Sequence, residues 1–302
     1  MPESTLNYVT CPDASGTHRM AFWQWGDPAA AHVVVCVHGL TRQGRDFDVL
    51  AQALVAQSGG AVRVVCPDVV GRGHSDWLRD PSGYQVPFYA GDMLSLLAEL
   101  HRQAPIVVLD WVGTSMGGLI GLAVCSLPQL PVPVRRMVVN DVGPAIEWQA
   151  LERIGTYVGR TGRFESVQQA ADAMWAISSS FGPHTPQQWL ALSAAMVKPH
   201  PEGGFTLHYD PAIATPFRSL TPESAAQGEA ALWKLYDSLT TKILLTRGAQ
   251  SDLLSRASAQ AMTQRGPRAV LVEFEGVGHA PTFVDQAQVD VVTRFLLAGE
   301  AP

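Results

Sequence analysis

Residues 106–123, IVVLDWVGTSMGGLIGLA, set an apolar strand directly against a G-x-S-x-G turn (Gly113, Ser115, Gly117) and then a small-residue helix. A strand that turns this tightly into a helix needs small residues where backbones meet, and it lifts one side chain out at the end of a buried sheet. The group lifted here is the hydroxyl of Ser115, which makes Ser115 a candidate nucleophile. A chain built around such a turn is a layered α/β structure, and its other residues must supply what a serine lacks.

The flanking sequence has the matching alternation. Residues 6–10 and 18–26 read as two short antiparallel strands around the turn DASG. Near-continuous β-branched runs follow at 33–37 (VVVCV) and 62–65, the pattern of parallel strands covered on both faces. Between them Phe47, Leu50, Leu54 and Val55 fall at helical spacing. A further helix is expected at 90–102, with strands at 106–109 and 136–140 on either side of the 116–126 helix. The order resumes with a strand at 242–246, a helix at 256–265, a strand at 269–274 and a final helix at 286–297. This predicts a mostly parallel, doubly wound sheet of about eight strands, with ligands gathering outside the carboxyl ends of the strands.

Residues 144–228 break the alternation. They carry no convincing strand run and are rich in Ala, Gln and aromatics, among them Trp148, Tyr157, Phe164, Trp175, Phe181 and Trp189. The expectation is a helical cap (144–228) inserted into a core made of residues 1–143 and 229–302. Most of these aromatics should pack the cap's own core, and the remainder line a pocket between cap and sheet.

Composition removes several function classes. At 302 residues with 47% hydrophobic and 16% charged content, the chain can bury a large core. Twenty-one Lys and Arg against 27 Asp and Glu, without a basic tract, argue against nucleic-acid binding. No apolar run reaches membrane-spanning length, and MPESTLNYVTCPDASG lacks the features of a signal peptide, so a cytoplasmic location is expected. Cys36, Cys66 and Cys125 sit inside apolar runs, as reduced thiols do, and no C-x-x-C or H-E-x-x-H spacing suggests a metal. No cofactor is implied. The expected partner is a small-molecule substrate, with the chain a monomer or a small homo-oligomer.

A serine needs a base, and the base needs a carboxylate that fixes its tautomer. Of nine histidines, His279 in the loop GVGHAP follows a strand and precedes the last helix, so it is the candidate base. Asp252, past the strand KILLTRG, is the preferred acid, and Asp141 in VVNDVGP, also at a strand end, is the alternative. Oxyanion donors are expected from the amides of Met116, at the helix N-terminus, and of Leu40, in the H-G-L loop. His38 has a structural or oxyanion-loop role, and His74 holds a turn. Arg42 is a candidate for binding an acidic substrate group, against solvated pairing of Arg42 and Arg45 with Asp46 or Asp48. His38, Arg42, Trp148 and Trp175 are the candidate substrate contacts.

Taken together, VHGL (37–40), DVVGRGHSD (68–76), GTSMGG (113–118), RGAQSD (247–252) and GVGHAP (276–281) resemble the α/β-hydrolase fold superfamily along nearly the whole chain. The G-x-S-M-G-G form with a helical cap is similar to that of carboxylesterases and of carbon-carbon bond hydrolases. Serine at the turn sets the chain apart from haloalkane dehalogenase and epoxide hydrolase branches, which use aspartate there. The resemblance implies a cofactor-free serine hydrolase of small to medium carboxylic esters. A carbon-carbon bond hydrolase or lactonase on the same residues, and a non-catalytic ligand-binding member of the fold, are the alternatives.

Overall fold

The computed structural model describes residues 3–299. The chain opens with a hairpin of β1 (Thr5–Asp13) and β2 (Gly16–Trp25), whose turn is closed by Asp13 accepting from the Ser15 amide. The parallel part follows: β3 (His32–Val37), α1 (Asp48–Gln57), β4 (Val62–Pro67), α2 (Val86–Gln103), β5 (Val108–Thr114), α3 (Met116–Cys125) and β6 (Val134–Asn140). A largely helical segment comes next, with α4 (Trp148–Tyr157), β7 (Arg163–Phe164), α5 (Val167–Ser178), α6 (Pro186–Ala194), β8 (Val197–Pro199), β9 (Phe205–Leu207) and α7 (Pro222–Ser238). The chain then returns to the sheet with β10 (Lys242–Gly248), α8 (Arg256–Met262), β11 (Val270–Phe274) and α9 (Gln286–Leu297).

Eight strands form one sheet in the order β1-β2-β4-β3-β5-β6-β10-β11, antiparallel at the hairpin end and parallel from β4 to β11. Its faces are both covered, which is why the central strands carry no polar alternation. In β3, Val33, Val35 and Val37 pack with Met93, Leu96 and Leu97 of α2 and Ile120 of α3. Val34 and Cys36, one residue out of phase, pack with Leu50 and Leu54 of α1 and Val292 and Leu296 of α9. The last turn of α9 is tied to the sheet by Arg136, whose Nη1 donates to the carbonyls of Phe295, Leu296 and Ala298. A cation at a helix C-terminus satisfies carbonyls that have no partner inside the helix.

The segment between β6 and β10 differs from expectation in two respects. It contains a small antiparallel sheet, β7-β9-β8, whose strands of two or three residues are too short to show a period in sequence. The expected boundary at residue 228 falls inside α7, a 17-residue helix with a Thr221–Ser224 capping box. Trp189 packs this segment's own core with Met174 and Leu192, and its indole donates to Ala171 O. Backbone bonds fasten the segment to the core: Gly73 N to His208 O, Asp210 N to Gly71 O and Gly278 N to Ser180 O. No helix among the described residues is long and apolar enough to cross a membrane.

The closest backbone approach is at the start of α3. A Cβ on Gly117 would collide with the carbonyl oxygen of Val37 at the end of β3, and one on Gly113 would collide with Gly117 O. Both obstacles are backbone and cannot swing away. Gly117→Ala is therefore expected to destabilise the protein by about 1–3 kcal/mol or more through forced backbone shifts; chemical denaturation of the two proteins checks this, and equal midpoints would contradict the packing described.

Candidate active site

Ser115 occupies the single residue between β5 and α3, with φ 51° and ψ −117°. This is a conformation L-residues adopt at a cost, and here it is held by the Ser115 amide donating to Asn140 O and by α3 starting immediately after. The hydroxyl thus stands at the carboxyl edge of the sheet, where His279 meets it. Ser115 Oγ and His279 Nε2 are 2.9 Å apart, and His279 Nδ1 is 2.6 Å from Asp141 Oδ2. An imidazole bonded in this way on both nitrogens can take a proton from the hydroxyl while the carboxylate steadies the ring.

The carboxylate at the imidazole is thus Asp141 and not Asp252. Asp141 follows β6 directly, at φ 55°, and its side chain is fully buried. It also accepts from Gly248 N at 2.9 Å and Ser251 Oγ at 2.6 Å, so both its oxygens are satisfied. Asp252 lies four residues beyond the end of β10, half-exposed, and pairs with Arg153 of α4. Its neighbour Ser251, not Asp252, faces Asp141. Ser251 and Asn140 are the support residues that sequence reasoning missed. Asn140 Nδ2 donates to Thr114 Oγ1 and Pro281 O, and its Oδ1 accepts from Thr246 Oγ1.

Leu40 and Ser115 both line a cavity of about 470 Å³ between the sheet edge and the segment after β6. Among the described residues, the amides of Leu40 and Met116 donate to no other backbone group, which leaves them available to an anionic oxygen near Ser115. Both residues are held by Arg72, a side chain with no solvent exposure. Its Nε donates to Leu40 O at 2.8 Å, its Nη1 to Val70 O and Tyr89 Oη, and its Nη2 lies 3.7 Å from Met116 Sδ.

The other expected substrate contacts divide. Arg42 lines the cavity, but both its Nε and Nη2 are engaged by Asp46 at 2.7 and 2.6 Å. Arg45 pairs with Asp48. Trp148 and Trp175 are not among the cavity's lining residues, and Trp175 packs edge-on against Trp189. The aromatic lining comes instead from Phe47 of the core and from Tyr157, Phe164, Phe181 and Tyr209. His38 is wholly buried behind the loop: its Nδ1 donates to Gly39 O and its Nε2 accepts from Val69 N. His74 sits in its turn with its amide on Asp68. Burial pushes the His38 pKa from 6.5 down to about 3, reinforced by the Arg72 and Arg42 charges and opposed by the Gly39 bond.

The four cysteines are free thiols. Away from the cavity, Cys11, His18 and Asp92 are the one group of buried potential ligands that converges among the described residues. There both ring nitrogens of His18 already meet carboxylates, Asp13 at 3.2 Å and Asp92 at 3.1 Å, as in a charge triad that closes the hairpin onto α2.

Comparison with known proteins agrees with this architecture. A model of the alpha/beta hydrolase family matches residues 34–294. The chain belongs to the alpha/beta hydrolase family. It is 50% identical over 293 residues to a 3-hydroxybutyrate-oligomer hydrolase of Cupriavidus necator, covering 96% of this chain and 97% of that one. It is 25% identical to a 2-(acetamidomethylene)succinate hydrolase of Mesorhizobium japonicum, over 86% of each. A crystal structure of an alpha/beta hydrolase from Novosphingobium aromaticivorans superposes with a TM-score of 0.81 at 32% identity, covering 98% of this chain and 99% of that one. The protein is accordingly an enzyme, a hydrolase.

The state of His38 has a measurable consequence. The folded protein keeps this ring neutral down to about pH 3, whereas the unfolded chain binds a proton below about pH 6.5. Its contribution to stability is therefore present above pH 6.5 and is lost on acidification, by about 1 kcal/mol per pH unit. His38→Gln, whose amide can supply one donor and one acceptor, should lose less stability than the parent between pH 7 and pH 5 in denaturant titrations. An identical loss in the two proteins would contradict the assignment.

Proposed function

We propose that this hydrolase cleaves short oligo-esters of 3-hydroxybutyrate-type acids by a serine, acyl-enzyme route. The observation that carries the route is the continuous Asp141–His279–Ser115 chain, at 2.6 and 2.9 Å. His279 takes the hydroxyl proton as Ser115 Oγ attacks the ester carbonyl. The amides of Leu40 and Met116 receive the oxyanion, helped by the N-terminal dipole of α3. His279 then passes the proton to the leaving alkoxide, and a water activated by the same ring releases the acyl group. No cofactor enters this sequence, and the segment between β6 and β10 serves as the cap that shields the acyl-enzyme.

The substrate class is supported by the 50% identity to the Cupriavidus necator enzyme along almost the whole of both chains. Oligomers of 3-hydroxybutyrate are linked by ester bonds and carry a methyl branch on every unit, which suits a cavity walled by Leu40, Ile154, Met174, Ile177 and Leu192. An acyl chain of this kind gains from burial against such a wall.

A single series separates Asp141 from Asp252, the acid preferred from sequence. Ser115→Ala should lower turnover of 3-hydroxybutyrate dimer and trimer by at least about 10⁴-fold, and Asp141→Asn by about 10³- to 10⁴-fold. Asp252→Asn removes only an exposed ion pair and should stay within about threefold of the parent. Steady-state kinetics on the purified variants decide the matter, and a larger loss at Asp252 than at Asp141 would reverse the assignment.

A further inference from the structure

The cavity above Ser115 is walled mostly by apolar residues, yet three arginines reach its lining: Arg42, Arg153 and Arg160. Their charges are not equally available. Arg42 is held by the carboxylate of Asp46, the one acidic residue in the lining, and Arg153 by that of Asp252. Arg160 forms no ion pair among the described residues. Arg160 is exposed to solvent, so its charge sits at the mouth of a mostly apolar cavity, and that end has a preferred sign of ligand charge.

Arg160 is also set in place by its surroundings. It follows the C-terminus of α4, its amide donates to Tyr157 O, and its carbonyl accepts from Tyr209 Oη at 3.1 Å. Tyr157 and Tyr209 both line the cavity, so the backbone that bears the cation is built into the wall. The residue moreover lines a second, smaller cavity of about 210 Å³, together with Gly155, Val158, Gly159 and Arg218. No carboxylate lines that second cavity, and Arg218 forms no ion pair among the described residues either. Arg160, an exposed residue, therefore borders both spaces, and a second exposed arginine, Arg218, lines the smaller one, which Ser115 does not reach.

We infer that Arg160, backed by Arg218, is a subsite for the free carboxylate end of the substrate, so that the enzyme binds oligo-esters by their acid terminus. This rests on the oligo-ester reading of the same site. An oligomer of a hydroxy acid has one hydroxyl end and one carboxylate end, and the carboxylate belongs to the alcohol side of the last ester bond. Fixing it at the wall orients the chain across Ser115 and distinguishes a short oligomer from the interior of a long polymer, which brings no free carboxylate. A carboxylate suits this place because its two oxygens accept from a guanidinium in parallel.

The test compares the 3-hydroxybutyrate trimer as the free acid and as its methyl ester, which replaces the terminal charge with a methyl group. Calorimetric binding to Ser115→Ala protein, which holds either ligand without turning it over, reads the subsite directly. The free acid should bind about fivefold to tenfold more tightly, with the difference shrinking as salt is raised. In the Ser115→Ala/Arg160→Gln protein the two ligands should become equivalent, while Ser115→Ala/Arg160→Lys keeps part of the preference. Equal affinities in Ser115→Ala, or a preference that survives Arg160→Gln, would overturn the subsite. Turnover by the parent enzyme is scored separately. Failure to cleave either trimer would remove the oligo-ester reading, while a charge preference abolished by Arg160→Gln would still carry the carboxylate subsite.

Discussion

Asn140 and Asp141, consecutive at the carboxyl end of β6, hold together everything that meets at Ser115. The Asn140 carbonyl receives the Ser115 amide, and its side chain bonds Thr114 at the end of β5, Thr246 in β10 and the Pro281 carbonyl beyond His279. The next residue turns to positive φ and delivers its carboxylate to His279, Gly248 N and Ser251. Two adjacent side chains thus bond to β5, β10 and the loop before α9. Each of these bonds is buried or nearly so, where an unmet donor or acceptor is costly, so the elements cannot drift apart independently. The position of the imidazole against the hydroxyl follows from this junction.

The legibility of these residues in sequence depends on how local their geometry is. Ser115 could be read because strand, turn and helix are contiguous and the close approaches at Gly113 and Gly117 leave a glycine signature. His279 could be read because its loop joins the last strand of the sheet to the last helix. The acid could not be read, since β6 and β10 are neighbours in the sheet and each is followed by an aspartate. Which one faces the histidine depends on a turn to positive φ at Asp141 and on Ser251 filling the space beside it. Neither leaves a periodic trace. Asn140 escaped notice for a related reason: it ends a buried strand, and its partners come from distant parts of the chain.

The segment after β6 was legible as an interruption but not as a wall. Aromatic content marks the segment, yet Trp175, an exposed residue, packs edge-on against Trp189 while Tyr157, Phe164 and Tyr209 reach the cavity. Composition cannot say which face of a short helix meets the sheet when the segment has a core of its own, as this one does around Met174, Trp189 and Leu192. The same limit applies to charge. The Arg42 and Asp46 spacing of i and i+4 allows the pairing that the structure shows, whereas the lack of an ion pair at Arg160 among the described residues has no counterpart in the sequence pattern.

Arg72 shows what the core contributes beyond placing side chains. The sequence presents it as one letter in a glycine-rich turn, yet it is a fully buried cation without a carboxylate partner among the described residues, satisfied by two carbonyls, a phenol and a sulfur. Removing a guanidinium from water is expensive, and carbonyl oxygens return only part of that cost. The guanidinium lies in a low-dielectric region beside Leu40 and Met116, with no carboxylate next to it among the described residues. A fixed charge in such a place acts on any negative charge that forms near it with little screening, and it needs no reorganisation to do so. In the reaction proposed here, that negative charge is the oxyanion at Ser115. The same bonds that steady the Leu40 loop thus set the electrostatic field into which the intermediate would form.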